Sequence, residues 1–257
     1  KITMPQEFKD AYRRGIDEGW LASACKPEHG GMGVPTFFQA VTWAEFGTSA
    51  CMSLSVLPAL SLGVYDVLVA HGRQDLVDYF ASNLAIGEWA GTMCLTEPHA
   101  GTDLGIISTR AEPELDGSYR ISGTKIFITY GEHDLSENIV HLVLAKAPGG
   151  PEGTKGISLF LVPKYLPIDW KEGGLEGVSN ELKTVNNGVT CSGTEEKMGL
   201  HASPTCVMNF DDSVGWLVGP LHGGMPLMFE MMNRERVATG MMGLGLAEIA
   251  YQNALAW

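Results

Sequence analysis

The sequence predicts an α+β protein in which a helical segment, a β segment and a second helical segment follow one another along 257 residues. The spacing of hydrophobic residues changes from helical to β-like near residue 91 and returns to helical after Val218. No helical stretch separates the β-rich runs, which favours an antiparallel barrel or sandwich. We therefore expect an N-terminal helical domain at 1–90, a middle β domain at 91–219, and the truncated beginning of a C-terminal helical bundle at 220–257.

The first segment has the hydrophobic spacing of packed helices. Apolar residues recur at helical intervals on both sides of a break at His71-Gly72, namely Val64, Val67, Leu68, Leu76, Val77 and Phe80. Residues 54–70 are the most apolar region of the chain. Because Pro58, Gly63 and Asp66 interrupt that region, we expect no membrane-spanning segment.

The β segment consists of short runs of β-forming residues between turn formers such as Asp116-Gly117. The predicted strands are 119–121, 125–129, 139–145, 156–162 and 206–210. Residues 164–195, which contain Gly173-Gly174 and Asn186-Asn187-Gly188, are expected to leave the sheet as a long excursion. The later stretches 225–232 and 235–255 are amphipathic, and they form two helices or one long helix.

Composition excludes some classes of partner. A formal net charge of −13 argues against nucleic-acid or anionic-membrane binding, because such surfaces need clustered Lys and Arg. The five cysteines are scattered without a Cys-x-x-Cys pair, which favours free thiols in a reducing compartment over a zinc site. With no secretory signal at the start of the sequence, we expect a cytoplasmic or organelle-matrix location and assign the protein to the cytoplasm.

One predicted strand carries a pattern suited to a flat ligand. In 125–129, alternation places Ile126 and Ile128 on one face and Phe127 and Thr129 on the other. An aromatic ring beside a hydroxyl suits a heterocycle that needs both stacking and a hydrogen bond. A core Phe127 and a strand-ending Thr129 would explain the same pattern.

A second candidate site lies on the last predicted helix. Asn233, Arg236 and Gly240 share one helical face, which places an amide and a cation beside a small residue that lets a ligand approach. The alternative is a set of surface ion pairs among the neighbouring charged residues Glu230, Arg234, Glu235 and Arg236.

Two further patterns have a structural explanation. The residues His133, Asp134, Glu137 and His141 have no fixed ligand spacing, so a solvated polar loop is favoured over a metal site, and no metal is expected. No strand precedes the glycines Gly240, Gly243 and Gly245, so close helix packing explains them better than a dinucleotide loop does.

Two motifs give the β segment a specific resemblance. "MCLTEPHAGTDLG" at 93–105 and "GTKIFIT" at 123–129 resemble, in this order, the paired motifs of the acyl-CoA dehydrogenase family. Within that family, residues 131–166 and 195–210 are most similar to a subgroup that includes 3-methylmercaptopropionyl-CoA dehydrogenases. The resemblance extends over the whole chain and implies an acyl-CoA dehydrogenase-like fold: an N-terminal helical domain, a middle β domain and a C-terminal helical bundle.

The resemblance implies FAD as the cofactor. It places seven residues at the flavin or its pyrophosphate: Met93, Leu95, Thr96, Gly101, Thr102, Phe127 and Thr129. Phe127 stands where a tryptophan is common in the family, so stacking is kept without the indole N–H. Thr129 would bond the flavin near N5, and glycine allows the backbone to approach the cofactor.

The resemblance also implies an oxidoreductase that removes an α-proton and a β-hydride from an acyl-CoA, giving a trans-2-enoyl-CoA. Thr102, Asn233 and Arg236 would contact the acyl-CoA, which is 3-methylmercaptopropionyl-CoA or a medium to long acyl-CoA. An electron-transfer flavoprotein or similar acceptor would take the electrons. A homodimer or homotetramer is implied, with four methionines as a candidate packing surface or as plain core: Met225, Met228, Met231 and Met232.

The catalytic base is not assigned by the sequence. Most family members carry the glutamate late in the C-terminal bundle, which favours a base beyond residue 257. A minority carry it directly before the substrate-binding arginine, where Glu235 stands, although an exposed Glu235 could simply pair with nearby arginines. A non-catalytic flavin- or CoA-binding scaffold subunit and a flavin monooxygenase of the same fold are the alternative functions.

Overall fold

A computed structural model describes residues 2–35, 37–39, 51–167 and 184–257. Four α-helices have their bounds in these ranges, α1 at Gln6–Asp17, α2 at Met52–His71, α3 at Gln74–Ile86 and α4 at Gly224–Leu255. Helix α3 ends where Gly87 takes a left-handed conformation with φ of 88°, which glycine adopts without the steric cost that a Cβ imposes. The first described strand follows at Trp89.

Nine strands lie in the described residues between α3 and α4. They are β1 Trp89–Cys94, β2 Arg110–Pro113, β3 Tyr119–Thr129, β4 Asn138–Lys146, β5 Ile157–Pro163, β6 Tyr165–Pro167, β7 Thr184–Asn186, β8 Val189–Thr194 and β9 Thr205–Val218. All predicted strands lie within β3, β4, β5 and β9, apart from a residue at one end. The sequence missed β1, because that strand is buried along most of its length and shows no alternation.

Five strands close a barrel in the order β2, β3, β9, β5 and β4, with β4 returning to β2. Strands β1 and β8 extend the sheet beside β4 and β9. The predicted antiparallel arrangement is wrong in part, since β1 and β2 both run parallel to β4. The reason is that the connection 95–109 does not form a tight hairpin but leads from the end of β1, beside Val143 of β4, to the start of β2, beside Lys146 of β4, so β1 and β2 point the same way.

The predicted excursion 164–195 is also wrong in part. Its last strand, β8, pairs antiparallel with β9 in the main sheet, and β6 and β7 form a separate two-stranded ribbon. Gly173-Gly174 lies outside the described residues. The predicted domain boundaries stay a prediction.

Helix α2 is continuous through Pro58, Gly63 and Asp66, which were expected only to rule out a membrane-spanning segment. Pro58 removes only one backbone donor, and the surrounding burial keeps the helix intact. By length and composition α2 could cross a membrane, yet 67% of its most apolar 18-residue stretch is buried within the protein. Its buried residues join those of α3, β1, β4 and β5 in one hydrophobic core.

Helix α4 is a single helix of 32 residues. Met228 and Met231 are buried in the core shared with α2, so the structure contradicts their use as a free packing surface. A Cβ built at Gly240 or Gly243 would meet no atom within 4 Å, so the expected close helix packing is not seen there in the described residues.

Candidate functional site

The connection after β1 is attached to β3 by a buried ion pair. The Nζ of Lys125 lies 2.9 Å from Oε1 of Glu97, and it donates a hydrogen bond of 2.9 Å to the carbonyl of Leu95. The two side chains are 0% and 1% exposed. The N–H of Ile126 donates to the carbonyl of Thr96 at 2.9 Å. Two consecutive residues of β3 therefore hold two consecutive carbonyls of the connection.

The Glu97 carboxylate also holds the far end of the connection. It accepts hydrogen bonds from the N–H and hydroxyl of Ser108, both at 2.7 Å, and from the N–H and hydroxyl of Thr109, at 3.0 and 2.5 Å. Burial raises the pKa of Glu97, but the Lys125 ammonium and these donors outweigh burial and lower the pKa to about 2. Glu97 is therefore charged at neutral pH, while burial lowers the pKa of Lys125 against the raising effect of the Glu97 charge.

Strand β3 carries a β-bulge directly after Lys125. The register with β9 shifts between Lys125 and Ile128, and Phe127 takes a φ of 60° with 57% of the residue exposed. A positive φ in a bulky residue is strained and common at functional sites. The predicted alternation of Ile126 and Ile128 against Phe127 and Thr129 is wrong here, because the bulge inserts a residue and turns Phe127 outward.

The other predicted flavin-binding residues lie around this bulge or along the connection. Thr129 is half-buried opposite Thr205 on β9, and Leu95 and Thr96 are half-buried. Gly101 and Thr102 are exposed, and a Cβ at Gly101 would meet only Cγ2 of Thr96, at 4.0 Å. The backbone of this segment is therefore open to a ligand.

A cleft of about 280 Å³ lies between β1 and α4. It is lined by Met93, Met232, Glu235, Arg236 and Thr239. Only two residues separate Met93 from Thr96, so at most about 10 Å of extended chain joins the cleft to the bulge. The cleft thus brings together Met93 of the predicted flavin-binding residues and Arg236 of the predicted substrate-binding residues.

Glu235 is half-buried and lines this cleft, and its Oε1 atom is buried. Its Oε1 has no partner in the described residues, and a Cβ built at Gly63 of α2 would lie 3.5 Å from that oxygen. Burial raises the pKa of Glu235 to about 7, against the lowering effect of the Arg234 charge. The expectation that Glu235 is an exposed partner for arginines is wrong, because α2 covers the carboxyl group.

This burial predicts a pH dependence of stability. A carboxyl with a pKa of about 7 in the folded state, against about 4.3 when unfolded, binds its proton more tightly when folded. Its contribution to the free energy of unfolding should therefore fall as pH rises from about 4 to about 7. Denaturant titrations of the wild type and Glu235→Gln should show this slope only in the wild type. If the free energies of unfolding of the two proteins change with pH in the same way, the burial of the Glu235 carboxyl group is contradicted.

The charged neighbours of Glu235 bond elsewhere. Arg234 contacts Asp66 of α2 and Gln39, and Glu230 accepts a hydrogen bond of 2.7 Å from Nε2 of His71. The surface ion pairs considered from the sequence are therefore replaced by contacts between α4 and other parts of the chain.

Arg236 and Asn233 lie together on the exposed side of α4, as predicted from their spacing. The Arg236 guanidinium donates to Oδ1 of Asn233 at 2.9 Å and lies 5.6 Å from the ring centre of Phe229. Both residues are exposed, and Gly240 leaves open space one turn further on. The arrangement offers a fixed cation to an anionic or carbonyl-bearing ligand.

The expectation of a solvated polar loop is wrong for His133 and His141. Both are buried, and burial lowers the pKa of each to about 3, so both rings are neutral. Nδ1 of His141 lies 2.7 Å from the hydroxyl of Thr92. Among the described residues no group of three or more His, Cys, Asp or Glu is placed to hold a metal ion.

Sequence reasoning missed Glu97 and Lys125. Both lie inside the motifs "LTEP" and "GTKIFIT", and the only available signal was a lysine within an otherwise apolar strand. Their pairing joins residues 28 apart, which no local periodicity reports.

Helices followed by a closed barrel, with a long helix forming a cleft against β1, define the α+β fold class of the acyl-CoA dehydrogenases. Residues 92–213 match the family described as acyl-CoA dehydrogenase, middle domain. The resemblance predicted from the paired motifs is confirmed: residues 92–213 are similar to the middle domain of the acyl-CoA dehydrogenase family, and a relative named as an acyl-CoA dehydrogenase aligns through the flanking helices as well.

Named relatives cover the whole chain. A 3-methylmercaptopropionyl-CoA dehydrogenase of Ruegeria pomeroyi is 46% identical over 100% of this chain and 42% of its own length. A butyryl-CoA dehydrogenase of Syntrophomonas wolfei is 37% identical over 99% of this chain and 41% of its own. The chain therefore spans about two fifths of the length of these relatives.

A solved structure supports the fold. Butyryl-CoA dehydrogenase from Megasphaera elsdenii superposes with a TM-score of 0.76 at 22% identity, over 100% of this chain and 61% of that one. The acyl-CoA dehydrogenase-like fold predicted from the sequence is confirmed.

Proposed function

We propose that the full-length protein is an FAD-dependent acyl-CoA dehydrogenase that converts an acyl-CoA to a trans-2-enoyl-CoA. The observation that carries this proposal is the cleft between β1 and α4, which Glu235 lines with Met93 and Arg236 and in which Oε1 of Glu235 is buried without a partner in the described residues. The same stretch of chain leads from Met93 to the bulge that exposes Phe127. A short stretch of chain thus joins a proton acceptor to a surface for a flat cofactor.

The residues around the bulge fit FAD. An exposed aromatic ring, nearby threonine hydroxyls and the open backbone at Gly101 suit a flat heterocycle with a phosphate tail. We assign its binding to Met93, Leu95, Thr96, Gly101, Thr102, Phe127 and Thr129. When bound, FAD supplies the acceptor for the hydride that leaves the β-carbon.

We assign the removal of the substrate's α-proton to Glu235. A carboxyl whose pKa is raised to about 7 by burial is a stronger base than an exposed glutamate and is ionised in part at neutral pH. Its unpaired Oε1 is free to take the α-proton of a thioester. Arg236, with Asn233 and Thr102, holds the CoA portion by charge and hydrogen bonds.

A panel of acyl-CoAs tests the proposal. Added anaerobically to the full-length protein, the true substrate should bleach the flavin absorption band. Because the relative from Ruegeria pomeroyi is named a 3-methylmercaptopropionyl-CoA dehydrogenase, 3-methylmercaptopropionyl-CoA is the first compound to test. Butyryl-CoA and medium to long acyl-CoAs follow. A bound flavin that no acyl-CoA reduces would contradict dehydrogenase activity and leave a scaffold or a monooxygenase.

The assembly and location are also proposals. We propose an electron-transfer flavoprotein or similar acceptor as the redox partner, a homodimer or homotetramer, and a cytoplasmic location. Light scattering of the full-length protein that shows a monomer at micromolar concentration would remove the oligomer.

The exposed ring of Phe127 should contribute directly to cofactor affinity. Stacking on an aromatic side chain contributes about 1–3 kcal/mol, so Phe127→Ala should raise the FAD Kd about 5- to 150-fold. Ala, like Phe, is strained at a positive φ, whereas Gly is not. Phe127→Ala therefore removes only the ring, and Phe127→Gly removes both the ring and the backbone strain. Fluorescence titration of the full-length apoprotein measures both variants.

Phe37→Ala, which removes an aromatic side chain that is 74% exposed outside the site, is the control. An FAD Kd for Phe127→Ala equal to that of Phe37→Ala would show that the ring does not stack on the cofactor.

A further inference from the structure

We infer that the buried Lys125–Glu97 pair is a positioning device for the cofactor, which sets where the connection 95–109 and the Phe127 ring meet FAD. This inference rests on the proposed function. Neither side chain reaches the surface, so neither contacts the cofactor. Their partners, however, are the backbone and hydroxyl groups of the segment that does.

Three successive residues of β3 link the connection to the Phe127 ring. Lys125 holds the Leu95 carbonyl, Ile126 holds that of Thr96, and the next residue, Phe127, is turned outward by the bulge. The ring and the open face of the connection are therefore fixed relative to each other within three residues of β3. A shift of the connection would change the distance between the ring and the backbone that share the cofactor.

A single carboxylate holds both ends of the connection. Glu97 lies at its start, and Ser108 and Thr109, which donate to it, lie at its end. The exposed residues Gly101 and Thr102 lie between these two attachment points. Loss of the Glu97 charge or of Lys125 should therefore loosen the whole ligand-facing segment.

Stability alone does not require this pair. Buried ion pairs can often be replaced by apolar side chains of similar volume without loss of stability, since desolvation offsets much of their attraction. An apolar residue at position 125 could fill the same space, but it could not donate to Glu97 or to Leu95. The charged pair adds hydrogen bonds of fixed direction, which set the position of the connection along β3.

The test uses full-length apoprotein and measures FAD affinity by fluorescence and the visible absorption and circular dichroism of bound FAD. Lys125→Met should raise the FAD Kd at least about tenfold, because bonds to charged groups are lost, and should shift the visible spectrum. Adding Glu97→Gln to Lys125→Met should raise the FAD Kd by less than about threefold more, since both substitutions break the same contact between β3 and the connection.

Lys164→Met is the matched control. Lys164 and Glu132 form the other deeply buried pair of the described residues, with Nζ and Oε1 2.7 Å apart and side chains 8% and 7% exposed. This pair joins the turn after β3 to the end of β5 rather than to the connection. Lys164→Met should lower the melting temperature but keep the FAD Kd within about twofold and leave the visible spectrum unchanged.

Three outcomes overturn the inference. One is a Lys125→Met protein with the wild-type Kd and spectrum, and another is an equal loss of FAD affinity in Lys164→Met at equal loss of melting temperature. A wild type that takes up no FAD overturns the proposed function as well. If Lys125→Met does not fold, Thr109→Val removes one donor to Glu97 and should raise the Kd about threefold, an unchanged Kd then being the contradicting result.

Discussion

If the full-length protein has the proposed activity, Glu235→Gln is expected to lower the rate of flavin reduction by an acyl-CoA at least about a hundredfold, the lower end for general base catalysis. Gln has the shape of Glu but cannot accept the α-proton. Oε1 of Glu235 is buried and unpaired, so no structural bond is lost, and FAD and acyl-CoA should still bind. Anaerobic stopped-flow absorbance measures the rate, and equilibrium titration measures binding.

Glu230→Gln is the control for this experiment. Glu230 lies on the same helix but contacts His71 outside the cleft, so its loss should leave the flavin reduction rate within about threefold of wild type. If Glu235→Gln instead reduces its flavin at the wild-type rate, the base lies beyond residue 257, as the sequence alone favoured.

Arg236→Ala should weaken acyl-CoA binding about 10- to 100-fold, which corresponds to the loss of hydrogen bonds to a charged group. The Arg236 guanidinium is exposed and is held by Asn233, so it can meet the phosphates or carbonyls of CoA without rearrangement. Flavin reduction at saturating acyl-CoA should change much less than the Kd, because Arg236 contacts a part of the substrate remote from the reacting carbons.

Two further variants sharpen the Arg236 experiment. Arg236→Lys keeps the charge but loses the fork of donors and should fall between wild type and Arg236→Ala. Arg14→Ala removes an exposed arginine that pairs with Glu18 on α1 and should leave acyl-CoA affinity unchanged. Equal affinities of Arg236→Ala and Arg14→Ala for acyl-CoA would place the CoA elsewhere.

Much of this fold could be predicted because its signals are local. The change of hydrophobic period located the helical and β segments, and the two motifs at 93–105 and 123–129 identified the family. Strands buried on both faces, such as β1, give no alternation, so they were missed. Pro58, Gly63 and Asp66 were expected to rule out a membrane-spanning segment, whereas the burial of α2 against residues distant in sequence could not be predicted.

The sequence by itself determined the resemblance to the acyl-CoA dehydrogenase family, the order of secondary structure and the residue types available to the proposed ligands. Only the tertiary structure decided how those residues are used. The bulge after Lys125 arises from the register between β3 and β9, and the Glu97–Lys125 pair from the attachment of the connection to β3. Oε1 of Glu235 is buried where α2 packs against α4, which removes water from the carboxyl group and raises its pKa to about 7. Strand register, attachment of the connection and desolvation all depend on contacts between distant segments, and no short stretch of sequence contains them.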